Sequence, residues 1–315
     1  MNEHRVAGFT LSLDCEGLWG MADRAEVLAD RRINDAALRD VYSWLLLTLA
    51  HANVKATAAF VSCFAAGLDA VQANHDLLQR MALLEPSWFA NLMPLLEQGS
   101  RPEGWDGAAL YQAVKADGHE IAWHGATHLS LSDRTAGEAV ELELILAGRL
   151  FGELGDVPRT IVFPRNLVGH LEMLRGAGFM TYRESPPAGL ARRMLGLLNE
   201  WNIRDSRVEA KPEMRDGWHV SPSGFFLNWP AGVRSLAPVP VTIRRWKSLL
   251  REAVDRGGYV HMWFHPHNLI TAPLMKVAFD EILREVGELV RSGDLISLTM
   301  AEANEYYRTE IGGVA

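Results

Sequence analysis

Short apolar, β-rich runs alternate with segments of helical period along nearly the whole chain, and this alternation constrains the fold more than any other feature. Strands are predicted over 6–14, 55–61, 119–123, 160–163, 179–183, 258–264 and 295–298, with an extended stretch over 218–229. Helices are predicted over 33–52, 69–84, 87–97, 108–116, 135–154, 169–177, 242–256 and 272–291, with another after the last strand. Pro86 marks a helix break, and Thr135 is a candidate N-cap. Segment 184–217 is less regular: Pro186-Pro187, a helical stretch over 190–198, then mixed polar residues. Strand, helix, strand in succession implies parallel βαβ units, and about seven such units closing on themselves make a barrel. No internal repeat, low-complexity tract or linker interrupts the pattern, so one α/β domain over residues 1–315 is expected.

Charge and cysteine content narrow the partners. The net charge of -8 argues against nucleic acid or an anionic membrane surface as the main partner. Cys15 and Cys63 are the only cysteines, too few for a disulfide framework, and a reducing compartment is the default. The chain runs from Met1 into its first strand with no basic-then-apolar leader, and no apolar run is long enough for a bilayer. A soluble cytoplasmic protein is expected.

Ligands of α/β folds bind at the carboxyl ends of the strands. Asp14 and Glu16 close the first predicted strand, and His124 and His128 follow the third. Arg165 follows the strand ending at Phe163, and His265 and His267 follow the one ending at Phe264. Two imidazoles four residues apart can share a face and form half of a divalent metal site. That spacing alone also fits two unrelated histidines. In Asp14-Cys15-Glu16, residues two apart face the same way, so one carboxylate can bind metal while the other acts as base. Taken alone, the triplet also fits two solvated acids in a turn.

These segments resemble the motifs of the polysaccharide deacetylase family (NodB homology domain, carbohydrate esterase family 4). Leu11-Ser12-Leu13-Asp14-Cys15-Glu16-Gly17 resembles its first motif in the Asp-x-Glu variant, and Gly118 to His128 resembles its second throughout. Phe163-Pro164-Arg165-Asn166 resembles the Arg-containing third motif, with Pro ahead of Arg, and Tyr259 to His265 resembles the late strand ending in histidine. The fourth motif has only Asp205 as a candidate.

The resemblance implies a distorted (β/α) barrel of about seven parallel strands, with the helices of 64–110 as an insertion. It implies a metal-dependent hydrolase removing an N-acetyl group from an amino sugar or glycan precursor, in surface polysaccharide synthesis. Asp14 would be the general base, His265 the general acid, and Arg165 the residue that tunes Asp14. Glu16, His124 and His128 would hold the metal, Zn²⁺ by preference with Co²⁺ or Mn²⁺ as substitutes. Cys15 stands where the common pattern has its third ligand, so a thiolate is the alternative to Glu16. Indole faces stack on sugar rings, although tryptophans also fill cores; Trp19, Trp229 and His267 are the substrate-binding candidates. With a cytoplasmic location, a nucleotide-linked, lipid-linked or soluble N-acetylated sugar is the expected partner. The alternatives are hydrolysis of a formamido sugar or ureide, and a non-catalytic sugar-binding protein on a degenerate barrel.

Overall fold

The computed structural model describes residues 6–28, 31–97, 101–186, 210–230, 234 and 236–312. The helical stretch at 190–198 and Asp205 lie outside these residues. The strands are β1 (Ala7–Cys15), β2 (Ala56–Phe60), β3 (Glu120–Trp123), β4 (Thr160–Ile161), β5 (Thr181–Arg183), β6 (Glu213–Arg215), β7 (Trp218–Ser221), β8 (Phe225–Phe226), β9 (Tyr259–Phe264) and β10 (Leu295–Ser297). They form one sheet in the order β6-β7-β5-β4-β3-β2-β1-β9-β8, with β10 also paired to β1. Every described pairing is parallel except β6 with β7. The predicted extended stretch over 218–229 is broken: β8 ends the strand order on one side and β7 lies next to the last strand on the other, with Gly224 at φ +74° in the turn between them.

β1 is the centre of the architecture, and all nine of its residues are buried. Its period of two divides it chemically. Ser12 and Asp14 both reach Arg183 inside the curled sheet, whereas Phe9, Leu11, Leu13 and Cys15 join the apolar core. The curl is measurable. Three strands separate β5 from β1 in the sheet order, yet Arg183 at the end of β5 hydrogen-bonds Asp14 at the end of β1. The sheet has therefore wrapped into the barrel-like form that the alternation implied, with ten strands among the described residues.

Helices cover the outer face. Asp35–Ala52 starts where the Asn34 side chain accepts the Ala37 N–H at 2.9 Å, and it buries Leu38, Val41, Tyr42, Leu45 and Leu49. The 64–110 region is a series of short helices, broken at Asn74 and restarted at Pro86, which takes the first position of its helix. Thr135 does not cap the next long helix. That helix spans Gly137–Leu154, and the Thr135 hydroxyl donates instead to the Ser130 carbonyl at 2.7 Å.

Candidate active site

Glu16 lies one residue beyond β1, and the loop after β3 carries His124 and His128. All three are buried, and their ligand atoms lie within 4.8 Å of one another. One carboxylate oxygen, Glu16 Oε2, faces both imidazoles: His124 Nε2 at 3.2 Å and His128 Nε2 at 2.8 Å. The His124 Nδ1–H donates to the Val162 carbonyl at 2.7 Å, which leaves the Nε2 lone pair aimed at Glu16. A lone pair facing a carboxylate oxygen at that distance needs a proton or a cation between them. Two imidazoles and one carboxylate are a ligand set for Zn²⁺ or a similar divalent metal, so the residues present fit such an ion.

Cys15 does not share this site. It points to the other side of β1, donates weakly to the Leu13 carbonyl at 3.6 Å, and burial pushes its thiol far above the ordinary range. Its sulfur lies in the apolar core, apart from the two imidazoles, and Glu16 occupies the ligand position.

The carboxylate of Asp14 is buried and bound at both oxygens by Arg183: Nη1 to Oδ1 at 2.9 Å and Nη2 to Oδ2 at 2.8 Å. Burial alone would raise the Asp14 pKa; the Arg183 guanidinium outweighs it and keeps the group ionised, below the ordinary carboxylate range. Arg183 is itself braced. Its Nη2 also donates to Asn166 Oδ1 at 2.9 Å, and its Nη1 to Ser12 Oγ at 2.9 Å. Ser12 in turn pairs with His261 Nε2 at 2.9 Å, while His261 Nδ1 meets the Pro222 carbonyl at 3.1 Å. Burial and the nearby Arg183 push His261 down to about 3, so its ring is neutral. The directions are then consistent along the chain: His261 Nδ1–H donates to Pro222, and Ser12 O–H donates to His261 Nε2.

His265 follows β9, with Nε2 at 3.8 Å from Asp14 Oδ2 and 3.7 Å from Glu16 Oε1. Asn268 Nδ2 lies 3.3 Å from His265 Nδ1, which leaves Nε2 facing the carboxylates. His267 is buried beside it, with Nε2 4.0 Å from Glu16 Oε1; burial pushes it down to about 4. These groups line a cavity of about 550 Å³, the size of a small-molecule site, together with Arg165, Phe226 and Trp229. A cavity of about 710 Å³ lies against the helical region near Leu18 and Trp105, but it lacks the acid and histidine cluster.

Two of the expected assignments are corrected. Arg165 is not the partner of Asp14; Arg183 is. Arg165 Nη2 pairs with Asp23 at 2.6 Å, and its guanidinium lies over the Trp88 ring at 4.8 Å. Its backbone and that of Asn166 are left-handed, at φ 58° and 54°, which turns the Asn166 amide to Arg183 and sends Arg165 the other way. Trp19 lines no sugar site: it is fully buried, donates Nε1–H to the Trp105 carbonyl at 2.9 Å and packs edge-on against that ring. Trp229 does line the cavity, with its Nε1–H on Thr271 Oγ1 at 3.1 Å.

Glu143 supports the site from outside the sequence motifs. It projects from the buried face of helix Gly137–Leu154 and accepts the N–H of Ala126 at 2.5 Å, the N–H of Thr127 at 3.1 Å and the Thr127 hydroxyl at 2.5 Å. One carboxylate thus ties the loop carrying both histidines to this helix. A lone acid on an otherwise apolar helix face was the available signal. Gly20 is a second constraint, because a Cβ there would overlap the Glu16 carboxylate.

No known family model matches the chain, and no curated protein matches it. Solved structures do. A chain described as a polysaccharide deacetylase from Mycobacterium smegmatis superposes with a TM-score of 0.61 at 17% identity, over 98% of this chain and 93% of that one. Another so described, from Pseudomonas aeruginosa PAO1, gives 0.57 at 14% identity over 96% and 91%. The Puue allantoinase gives 0.57 at 13% identity over 98% and 92%. At these identities the likeness concerns the fold: along nearly its whole length, the chain has the NodB-like (β/α) fold of polysaccharide deacetylases and of an allantoinase.

Proposed function

We propose that the chain is a divalent-metal-dependent amide hydrolase that removes the N-acetyl group from an amino sugar or glycan precursor, in the making of a surface polysaccharide. The observation that carries this reading is the convergence of Glu16, His124 and His128 with the Asp14–His265 pair in one cavity. The fold shared with two chains described as polysaccharide deacetylases supports it.

Glu16, His124 and His128 would hold the ion, Zn²⁺ being the best match to two nitrogens and one oxygen. When bound, it supplies positive charge that acidifies water and stabilises an oxyanion. Asp14, kept ionised by Arg183, takes a proton from the water that attacks the amide carbonyl carbon. His265, in its doubly protonated form, gives its Nε2 proton to the nitrogen as the C–N bond breaks and is left a neutral imidazole, since an amine leaves poorly without that proton. The products are acetate and a free amino sugar. Trp229 and Phe226 offer apolar ring faces for the sugar, and His267 offers a neutral imidazole beside them. A nucleotide-linked, lipid-linked or soluble N-acetylated sugar is the partner in this reading. Among the described residues no helix is long and apolar enough to cross a membrane.

The allantoinase match favours a second reading, hydrolysis of a ureide at the same residues. Release of acetate or formate, and ring opening of a cyclic ureide, by the zinc-loaded protein separate the cases. Acetate from an N-acetyl amino sugar, lost in Asp14→Asn, is the expected result. Formate alone or ureide opening alone overturns the deacetylase reading. Sugar binding without turnover in either protein points to a binding module.

A further inference from the structure

The helical region 64–110 supplies none of the groups assigned to the chemistry, yet it sends one side chain to a metal ligand. Pro86–Phe89 is a single helical turn with Pro86 at its start, and it carries Trp88, which is buried. The indole meets the histidine loop twice. Its Nε1–H donates to the Thr127 carbonyl at 3.3 Å, and its ring lies 5.9 Å from the His128 ring at an interplanar angle of 35°. Thr127 is therefore held at its carbonyl by Trp88 and at its N–H and hydroxyl by Glu143. The next residue needs such holding. His128 has φ +64°, a region that residues with a Cβ avoid unless their surroundings enforce it.

Arg165 belongs to the same assembly. Its guanidinium lies over the Trp88 ring, 4.8 Å from the centroid, and its Nη2 is tied to Asp23 at 2.6 Å. A cation over an indole face is attracted to it, so the tether to Asp23 also holds the ring. The loop that carries Arg165 packs on the histidine loop: a Cβ on Gly125 would come within 3.0 Å of Pro164 Cγ. Asp23, Arg165, Trp88 and His128 thus form a row in which each side chain meets the next.

We propose that Trp88 and Arg165 are positioning residues for His128: the indole fixes the imidazole and the Thr127 carbonyl, and the tethered guanidinium fixes the indole. This rests on the reading, given under Proposed function, that Glu16, His124 and His128 hold the ion. Outer partners of this kind set the orientation of a ligand, and losing one weakens metal binding about 10- to 100-fold.

The test is zinc titration of the metal-depleted full chain, with no turnover involved. Trp88→Leu is expected to bind zinc about tenfold more weakly than the parent. Trp88→Phe keeps a ring face but loses the N–H to Thr127, and a loss of about threefold is expected. Arg165→Met is expected to lose about threefold in the parent and nothing further in Trp88→Leu, because it acts through the indole. A charge acting on the ion directly has the opposite sign, since removing a nearby cation tightens zinc binding. The visible d–d bands of the cobalt-loaded protein are expected to shift in Trp88→Leu, which a loss of stability elsewhere does not produce. Zinc affinity in Trp88→Leu within about twofold of the parent, unchanged or tighter binding in Arg165→Met, or an equal loss from Arg165→Met in both backgrounds overturns the proposal. If Trp88→Leu does not fold, Trp88→Phe and Arg165→Met carry the same readouts. A parent chain that binds neither zinc nor cobalt overturns the metal reading, and the row is then read in the metal-free protein from the imidazole NMR signals of His128. Signals that move in Arg165→Met support the positioning of His128, and signals that stay in place overturn it.

Discussion

Arg183 binds Asp14 through two parallel hydrogen bonds of 2.9 and 2.8 Å, and both side chains are buried. Removing one partner of such a pair leaves an uncompensated charge in the barrel interior. Arg183→Met is expected to cost about 3–5 kcal/mol of stability, measured by urea unfolding. The double variant Asp14→Asn/Arg183→Met is expected to recover part of that loss. A loss below about 1 kcal/mol in the single variant would contradict the pairing.

Glu143 links the histidine loop to pH. Burial pushes its carboxyl up to about 7, against the hydrogen bonds from Thr127 and Ala126. In the unfolded chain it titrates at the ordinary carboxylate value, so between these two values the folded state binds more protons. The contribution of Glu143 to stability is then greatest at and below the lower value and falls as pH rises to about 7, by about 3 kcal/mol. Unfolding of the parent and Glu143→Gln at pH 5, 6, 7 and 8 checks this. The parent is expected to lose stability relative to the variant across that window, and parallel curves would contradict it.

The two tryptophans assigned to substrate are expected to behave differently. Trp19→Ala removes a fully buried indole and is expected to cost about 3–5 kcal/mol of stability. Trp229→Ala removes a ring that is 39% exposed at the cavity, so stability is expected to stay within about 0.5 kcal/mol while KM rises. Thermal melts and substrate titration give the two readouts.

Gly20 leaves room for the Glu16 carboxylate. Gly20→Ala forces Glu16 away from the two histidines, and zinc affinity is expected to fall roughly 10- to 100-fold, as it does when a ligand's support is lost. Calorimetric zinc titration reads it, with Gly148→Ala as control, since a Cβ at Gly148 meets nothing within 4 Å.

Much of this arrangement was legible before any coordinates. The strands that build the barrel are short apolar runs bounded by turns, and Asp14, Glu16, His124, His128 and His265 all close strands, where α/β folds bind ligands. Arg183 obeys the same rule at the end of β5. Its partner is 169 residues away in sequence, and only the curl of the sheet brings them together. The role of Arg165 comes from the resemblance of Phe163-Pro164-Arg165-Asn166 to an Arg-containing motif, but two left-handed residues turn the chain there, and a Pro-Arg-Asn sequence does not announce them. Trp19 lies three residues from Glu16, and nothing local says that the chain turns it inward onto Trp105.

The metal centre is the central claim, and zinc titration of the metal-depleted protein tests it most directly. The expected result is one high-affinity zinc ion per chain in the parent and in Cys15→Ala, and at least a hundredfold loss of affinity in Glu16→Gln, roughly what losing one of three protein ligands costs. Zinc binding that survives Glu16→Gln, or that disappears with Cys15→Ala while the fold persists, would contradict the site built from Glu16, His124 and His128.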